Sequence, residues 1–133
     1  IVASLVGSEM CIRDRVLWSH VQENVCGEGR PFCDPGVSAA ITATDGAVIA
    51  GHLDGIIRIY DRDSGEIIWS YNTTTPVTGT NGVIAQGGGM SGSGPALGAG
   101  HMVINSGYGL YNHEAGNALL VFAPKASGSV SAR

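Results

Sequence analysis

The sequence predicts an all-β protein built from repeated four-stranded antiparallel meanders, and three observations carry that expectation. Residues 46–69 contain three short β-rich runs, around Val48, Ile57 and Ile67, separated by two turns and ending on Trp69. Val48 and Ala50, Ile57 and Ile59, and Ile67 with Trp69 can each set alternate side chains on one face, the period-2 signature of a strand. Asp54-Gly55 and Asp63-Ser64-Gly65 supply residues that tolerate positive φ where the chain must reverse. The pattern then returns: Ser93 to Gly109 lies 54 positions after Ala39 to Gly55, matching Gly46 with Gly100, His52 with Ser106 and Gly55 with Gly109.

Taken in order, residues 1–15 are set aside as a non-native leader, because Ser4 to Arg15 resembles a peptide translated from sequencing-adapter DNA. Residues 16–35 read as the end of a preceding unit plus a cysteine loop, since Val16-Leu-Trp18-Ser-His20 repeats the pattern of Ile67-Ile-Trp69-Ser-Tyr71. Residues 36–72 form a complete unit, whose small-residue stretch Gly36 to Thr44 suits an innermost strand. Residues 73–92 make a long polar connection, of a length that is uncommon unless it is functional or mobile. A second unit occupies residues 93–124. There Ala118 to Phe122 matches Ile56 to Tyr60, with Tyr108 to Gly116 as an enlarged loop. No fourth strand is expected after Phe122, and residues 125–133 read as a flexible Ser/Gly tail.

Composition narrows the function classes. A formal net charge of −4 with seven Lys plus Arg and no basic run offers no footprint for a nucleic-acid backbone. No apolar stretch approaches the roughly 20 residues that a membrane-spanning helix needs. Cys11 falls in the set-aside leader, leaving Cys26 and Cys33 as a disulfide candidate or as two free thiols. Their pairing would indicate an oxidising compartment. Neither C-x-x-C nor C-x-x-C-H occurs, so no zinc ribbon, thioredoxin-like pair or covalent haem site is encoded.

Strand, Asp-Gly turn, strand ending in Tyr60-Asp61, a second turn and Glu66-Ile-Ile-Trp69 together resemble the blade repeat of pyrroloquinoline-quinone (PQQ) type β-propellers. The likeness sharpens over Cys33 to Ala40, Thr80 to Gly88, Gly94-Pro-Ala96, Val103 to Gly109 and Gly116 to Phe122, which are similar to the C-terminal part of polyvinyl alcohol dehydrogenase-like quinoproteins. The resemblance implies part of a larger, eight-bladed periplasmic or secreted propeller, of which about two blades are present. It also implies PQQ in a central funnel with calcium beside it, alcohol oxidation, and a cytochrome c as electron acceptor. The remaining blades of the full-length chain would be the principal partner. Rings need about four to eight blades, so this polypeptide alone is expected to be marginally stable and inactive, with Trp18 and Trp69 wedged between sheets. In closed propellers the final blade commonly borrows a strand from the other end of the chain, which removes an open sheet edge.

A planar polyanionic quinone needs hydrogen-bond donors on its carboxylates and close backbone approach to its faces, which glycine permits. Asn81, Gly82, Gly88 and Ser91 in the long connection, and Asn105, Ser106 and Tyr108 beside the enlarged loop, are the cofactor-binding candidates. Both stretches also read as plain connection and turn chemistry. No catalytic base is identifiable. His113-Glu114 lacks the second histidine of a zinc-hydrolase motif, Gly89-Met-Ser91-Gly-Ser93 misses the nucleophile-elbow pattern at its last position, and Gly87 to Gly92 lacks the Lys-Ser/Thr of a phosphate loop. Asp54, Asp61 and Asp63 lie at expected turns, where local backbone bonding favours Asp over calcium ligation. Two functions therefore stand: a fragment of a PQQ-dependent alcohol dehydrogenase, or a cofactor-free propeller serving as a protein-binding scaffold.

Overall fold

A computed structural model describes residues 15–109, 111–124 and 130–132. The leader reading, apart from Arg15, and the tail reading over 125–129 and 133 fall outside these residues, as does Cys11. Among the described residues there are ten strands and no helix, in antiparallel sheets that do not close on themselves. The first sheet is a meander of β1 (Thr42–Ala43), β2 (Ala47–Gly51), β3 (Ile56–Asp61) and β4 (Ile67–Asn72). The second is a meander of β7 (Ala96–Gly98), β8 (His101–Ser106), β9 (Ala118–Pro124) and β10 (Val130–Ala132). Between them β5 (Val77–Thr78) and β6 (Ile84–Ala85) pair as a hairpin inside what the sequence presents as a long polar connection. Two such meanders fit part of a β-propeller.

Local chemistry explains the reversals. The Asp61 carboxylate accepts from the backbone N–H groups of Asp63 and Ser64 and from the Ser64 hydroxyl, which shapes the β3–β4 turn. Those bonds, the Ser64 backbone first, hold its pKa below the usual carboxylate value. Gly65 closes that turn at φ +75, and a Cβ there would also strike the Trp18 indole. Glycine is required twice over at this position. A bulge at Ile68 in the β3–β4 register pairs Ile59 with Trp69 but Tyr60 with Ile67. Ile67 and Ile68 are consequently exposed, so Trp69 enters the core without the Ile67 companion that alternation suggests.

The first sheet is covered on both faces. Ile49, Ile57, Ile59, Trp69 and Tyr71 pack against Met102, Ile104, Leu120 and Phe122 of the second sheet. Val48, Ala50 and Tyr60, on the other face, pack against Trp18, Val37 and Ile41. Pairing β1–β2 with β7–β8 at a spacing of 54, and β3 with β9 at 62, shows how the sheets stack. Met102, Ile104, Leu120 and Phe122 are the counterparts of Val48, Ala50, Arg58 and Tyr60. The second sheet therefore offers the first the same face that the first offers to residues 16–41. Such head-to-tail stacking uses two different faces and propagates instead of closing as a pair. The outward face of the second sheet accordingly carries exposed Leu119 and Val121.

Three expectations change in detail. Gly36 to Thr44 contributes only Thr42–Ala43 to a sheet, because Ala40 N–H donates to Gly92 O (3.4 Å) and Gly36 O accepts from Leu53 (3.0 Å) instead of joining the ladder. The stretch around Trp18 has no ladder partner among the described residues, although its rings sit on the first sheet as Trp69 and Tyr71 sit on the second. A fourth strand does follow Phe122, since β10 pairs Val130 with Pro124 and Ala132 with Phe122. The Ser/Gly composition hid it, as the open edge of β9 supplies bonds that local propensity does not foretell.

Candidate functional site

The loops leading into each sheet and those joining its second and third strands meet at one end of the stack. Backbone hydrogen bonds link Leu53 to Gly36, Met90 to His52, Gly89 to Glu114, and Glu114 to Phe32, all between 2.8 and 3.1 Å. Arg30 ties three of these loops together: it forms an ion pair with Glu114 and donates to Asp54 O at 3.1 Å. The loop carrying Arg30 is itself closed by a disulfide between Cys26 and Cys33, whose Cα atoms lie 5.6 Å apart.

The run Gly87-Gly88-Gly89 is buried at the centre of this end. Gly87 N–H donates to Thr73 O at 2.8 Å, and Gly88 N–H donates to Ser106 Oγ at 3.1 Å. A Cβ at Gly88 would collide with the carbonyls of Glu114 and Ala115, and one at Gly87 with Thr73 and Ser106 side chains. These glycines let backbones cross in contact, which a freely moving connection does not require.

Among the sequence candidates, Gly88 and Ser106 come together, and their polar groups are engaged with each other. Ser106 is fully buried, donates to Gly88 O at 2.9 Å and lies 2.6 Å from Thr73 Oγ1, which donates to Gly55 O at 2.7 Å. Asn81 and Gly82 instead form the exposed tip of the β5–β6 hairpin, where Asn81 Oδ1 accepts from Val83 N–H at 3.1 Å. Ser91 is half-buried beside Gly109. Half-buried Asn105 accepts from the Ser93 hydroxyl at 3.3 Å, and Tyr108 is exposed. Asp54 accepts from Ile56 N–H at its turn, and no cluster of three His, Cys, Asp or Glu side chains occurs among the described residues.

Sequence reasoning missed the most strongly perturbed group. His52 is buried, and its Nε2 lies 3.0 Å from Tyr60 Oη. Burial, reinforced by the Arg58 guanidinium, lowers its pKa to about 4. Tyr60 is pushed up, chiefly by its own burial. Beside them Arg58 makes two bonds to the buried Asp54 carboxylate, at 3.1 and 2.8 Å. The available signal was the internal alignment, which places His52 and Ser106, two polar residues, at one buried position of the repeat.

Fold and site define an all-β repeat protein whose antiparallel sheets stack head to tail and gather their long loops at one end. No family model matches the chain. It is similar to the polyvinylalcohol dehydrogenase of a Pseudomonas species, 36% identical over 107 residues that make up 74% of this chain and 17% of that protein. It is also similar to the polyvinylalcohol dehydrogenase of Sphingopyxis sp. (strain 113P3), 36% identical over 104 residues, covering 76% of this chain and 16% of that one. Both comparisons support the expected likeness to the C-terminal part of such enzymes. The chain spans about a sixth of the length of these curated relatives.

Proposed function

We propose that this chain is part of a β-propeller quinoprotein that oxidises alcohols with hydride transfer to PQQ, and that it contributes two blades near the C-terminal end of the ring. The observation that carries the reading is the head-to-tail stacking: the outward face of the second sheet bears Val103, Leu119 and Val121 where the first bears Ile49, Ile57 and Ile59. A further blade is the partner of matching chemistry. Likeness to polyvinylalcohol dehydrogenases supplies the reaction class.

The fit to a polyanionic quinone is partial. Asn105 and Tyr108 can supply a hydrogen bond and an aromatic edge at the loop end, with Ser91 beside them. Gly88 and Ser106 hold the loops in place, and Asn81 and Gly82 form a hairpin tip. The Arg30 and Arg58 charges are paired with Glu114 and Asp54, so charge partners for the quinone, and ligands for a calcium ion, would come from other blades. PQQ when bound would accept the hydride. The residues here would orient the funnel wall and exclude water. The Cys26–Cys33 link supports a periplasmic or secreted location, where a cytochrome c can serve as electron acceptor.

A cofactor-free scaffold is the second reading, favoured by the internal satisfaction of Ser106 and Gly88. PQQ with Ca²⁺, added to the full-length protein, is expected to raise its Tm and restore dye-linked alcohol oxidation. No shift and no activity at saturating cofactor would establish the scaffold instead.

A further inference from the structure

The two units differ most at the connection between their second and third strands. In the first unit this is the tight Asp54-Gly55 turn; in the second the matching spacing grows from 54 to 62, so the 107–117 loop is eight residues longer. Its base is pinched shut. Gly116 N–H donates to Gly107 O at 2.9 Å, and a Cβ on Gly107 would strike the Gly116 backbone. Further along, Tyr111 and Asn112 are successive non-glycine residues at φ +66 and +57, a backbone that persists only where its surroundings impose it.

Glu114 is the point at which those surroundings take hold. Its N–H donates to Phe32 O at 3.0 Å, its carbonyl accepts from Gly89 at 2.8 Å, and its carboxylate accepts from both Nε (3.3 Å) and Nη2 of Arg30. Arg30 Nη2 also donates to Asp54 O at 3.1 Å, so one guanidinium joins the longer loop to the short turn of the first unit. The Cys26–Cys33 disulfide closes the segment that carries Arg30, and the two charged side chains are 29% and 20% exposed. A two-point, partly buried contact of this kind is stronger than an ion pair in open solvent. The loop so held touches four of the cofactor-binding candidates: Gly88 lies against the carbonyls of Glu114 and Ala115, Ser91 is beside Gly109, and Ser106 and Tyr108 flank Gly107.

We infer, on the quinoprotein reading proposed above, that Arg30 is a positioning residue, which sets one wall of the quinone site by fixing the 107–117 loop through Glu114 without touching the cofactor. Charge sign separates this from direct contact. PQQ is a polyanion, so a guanidinium that touched it would weaken binding when lost in Arg30→Gln, whereas removing the competing carboxylate in Glu114→Gln would tighten binding. A positioning pair loses affinity in both variants. Equilibrium dialysis of PQQ with Ca²⁺ against the full-length apo-protein and its variants tests it, with amide exchange over 107–117 followed in parallel without cofactor. Each single variant should exchange faster over that loop and bind PQQ about tenfold more weakly, the scale of one lost charge-assisted bond. The double variant Arg30→Gln/Glu114→Gln should bind no more weakly than the worse single. Tighter binding in Glu114→Gln, additive losses in the double variant, unchanged exchange, or faster exchange with unchanged PQQ affinity would each overturn the inference and leave the quinoprotein reading standing. No PQQ bound by the unaltered protein would overturn both.

Discussion

The buried Asp54–Arg58 pair offers the sharpest check on how the first sheet is held. Arg58→Leu installs the residue that the second sheet carries at the matching position, Leu120, and leaves the Asp54 carboxylate fully buried without its guanidinium. Removing one partner of a buried ion pair costs about 3–5 kcal/mol, whereas removing both in favour of packed, uncharged groups is often close to neutral. Asp54→Asn retains an acceptor for Ile56 N–H, which Asp54 Oδ1 serves at 2.9 Å. The double variant Asp54→Asn/Arg58→Leu should therefore be more stable than Arg58→Leu by about 2 kcal/mol or more. Urea denaturation of the full-length protein and its variants measures this without screening charges. A cost below about 1 kcal/mol for Arg58→Leu, the range of solvated pairs, or a double variant whose cost is the sum of the singles, would refute the reasoning.

Three other outcomes are expected. His52 titrates near 4 in the fold against 6.5 in the unfolded chain, so the folded state disfavours its protonation. The associated stability is complete above pH 6.5 and is lost as pH falls from there toward 4, by at most about 3 kcal/mol; His52→Gln should flatten that stretch of the stability–pH curve. Gly88→Ala drives a methyl into the carbonyls of Glu114 and Ala115, and should lower Tm while making the 107–117 loop faster to cleave in limited proteolysis. Reduction, or Cys26→Ser with Cys33→Ser, releases an eight-residue loop worth about 2.5 kcal/mol on the chain-entropy model, and should weaken the Arg30–Glu114 clasp, read as faster amide exchange at Glu114.

Much of the architecture is legible in the chain. Period-2 alternation around Ile57 and the Asp-Gly and Asp-Ser-Gly turns mark β2 to β4, and the 54-residue recurrence places β7 and β8 in register with β1 and β2. Local preference and long-range packing agree at these places. They diverge at β10, at the bulge beside Ile68 and along Gly36 to Ile41, where neighbouring loops or an open edge decide which backbone groups pair. The candidate site was legible as two glycine- and asparagine-rich stretches. That Ser106 faces Gly88 and Thr73, while Asn81 caps a distant hairpin, depends on how a 20-residue connection folds back, and no local pattern encodes that.

The amino-acid order by itself determined the strand class, the repeat and the likeness to polyvinylalcohol dehydrogenases, because alternation and turn residues act over a few positions. Only the tertiary structure decided which face of each sheet meets the next and which polar atoms are left unpaired. Those outcomes depend on contacts between residues 44 to 84 positions apart, such as Trp18 with Arg62 and Arg30 with Glu114.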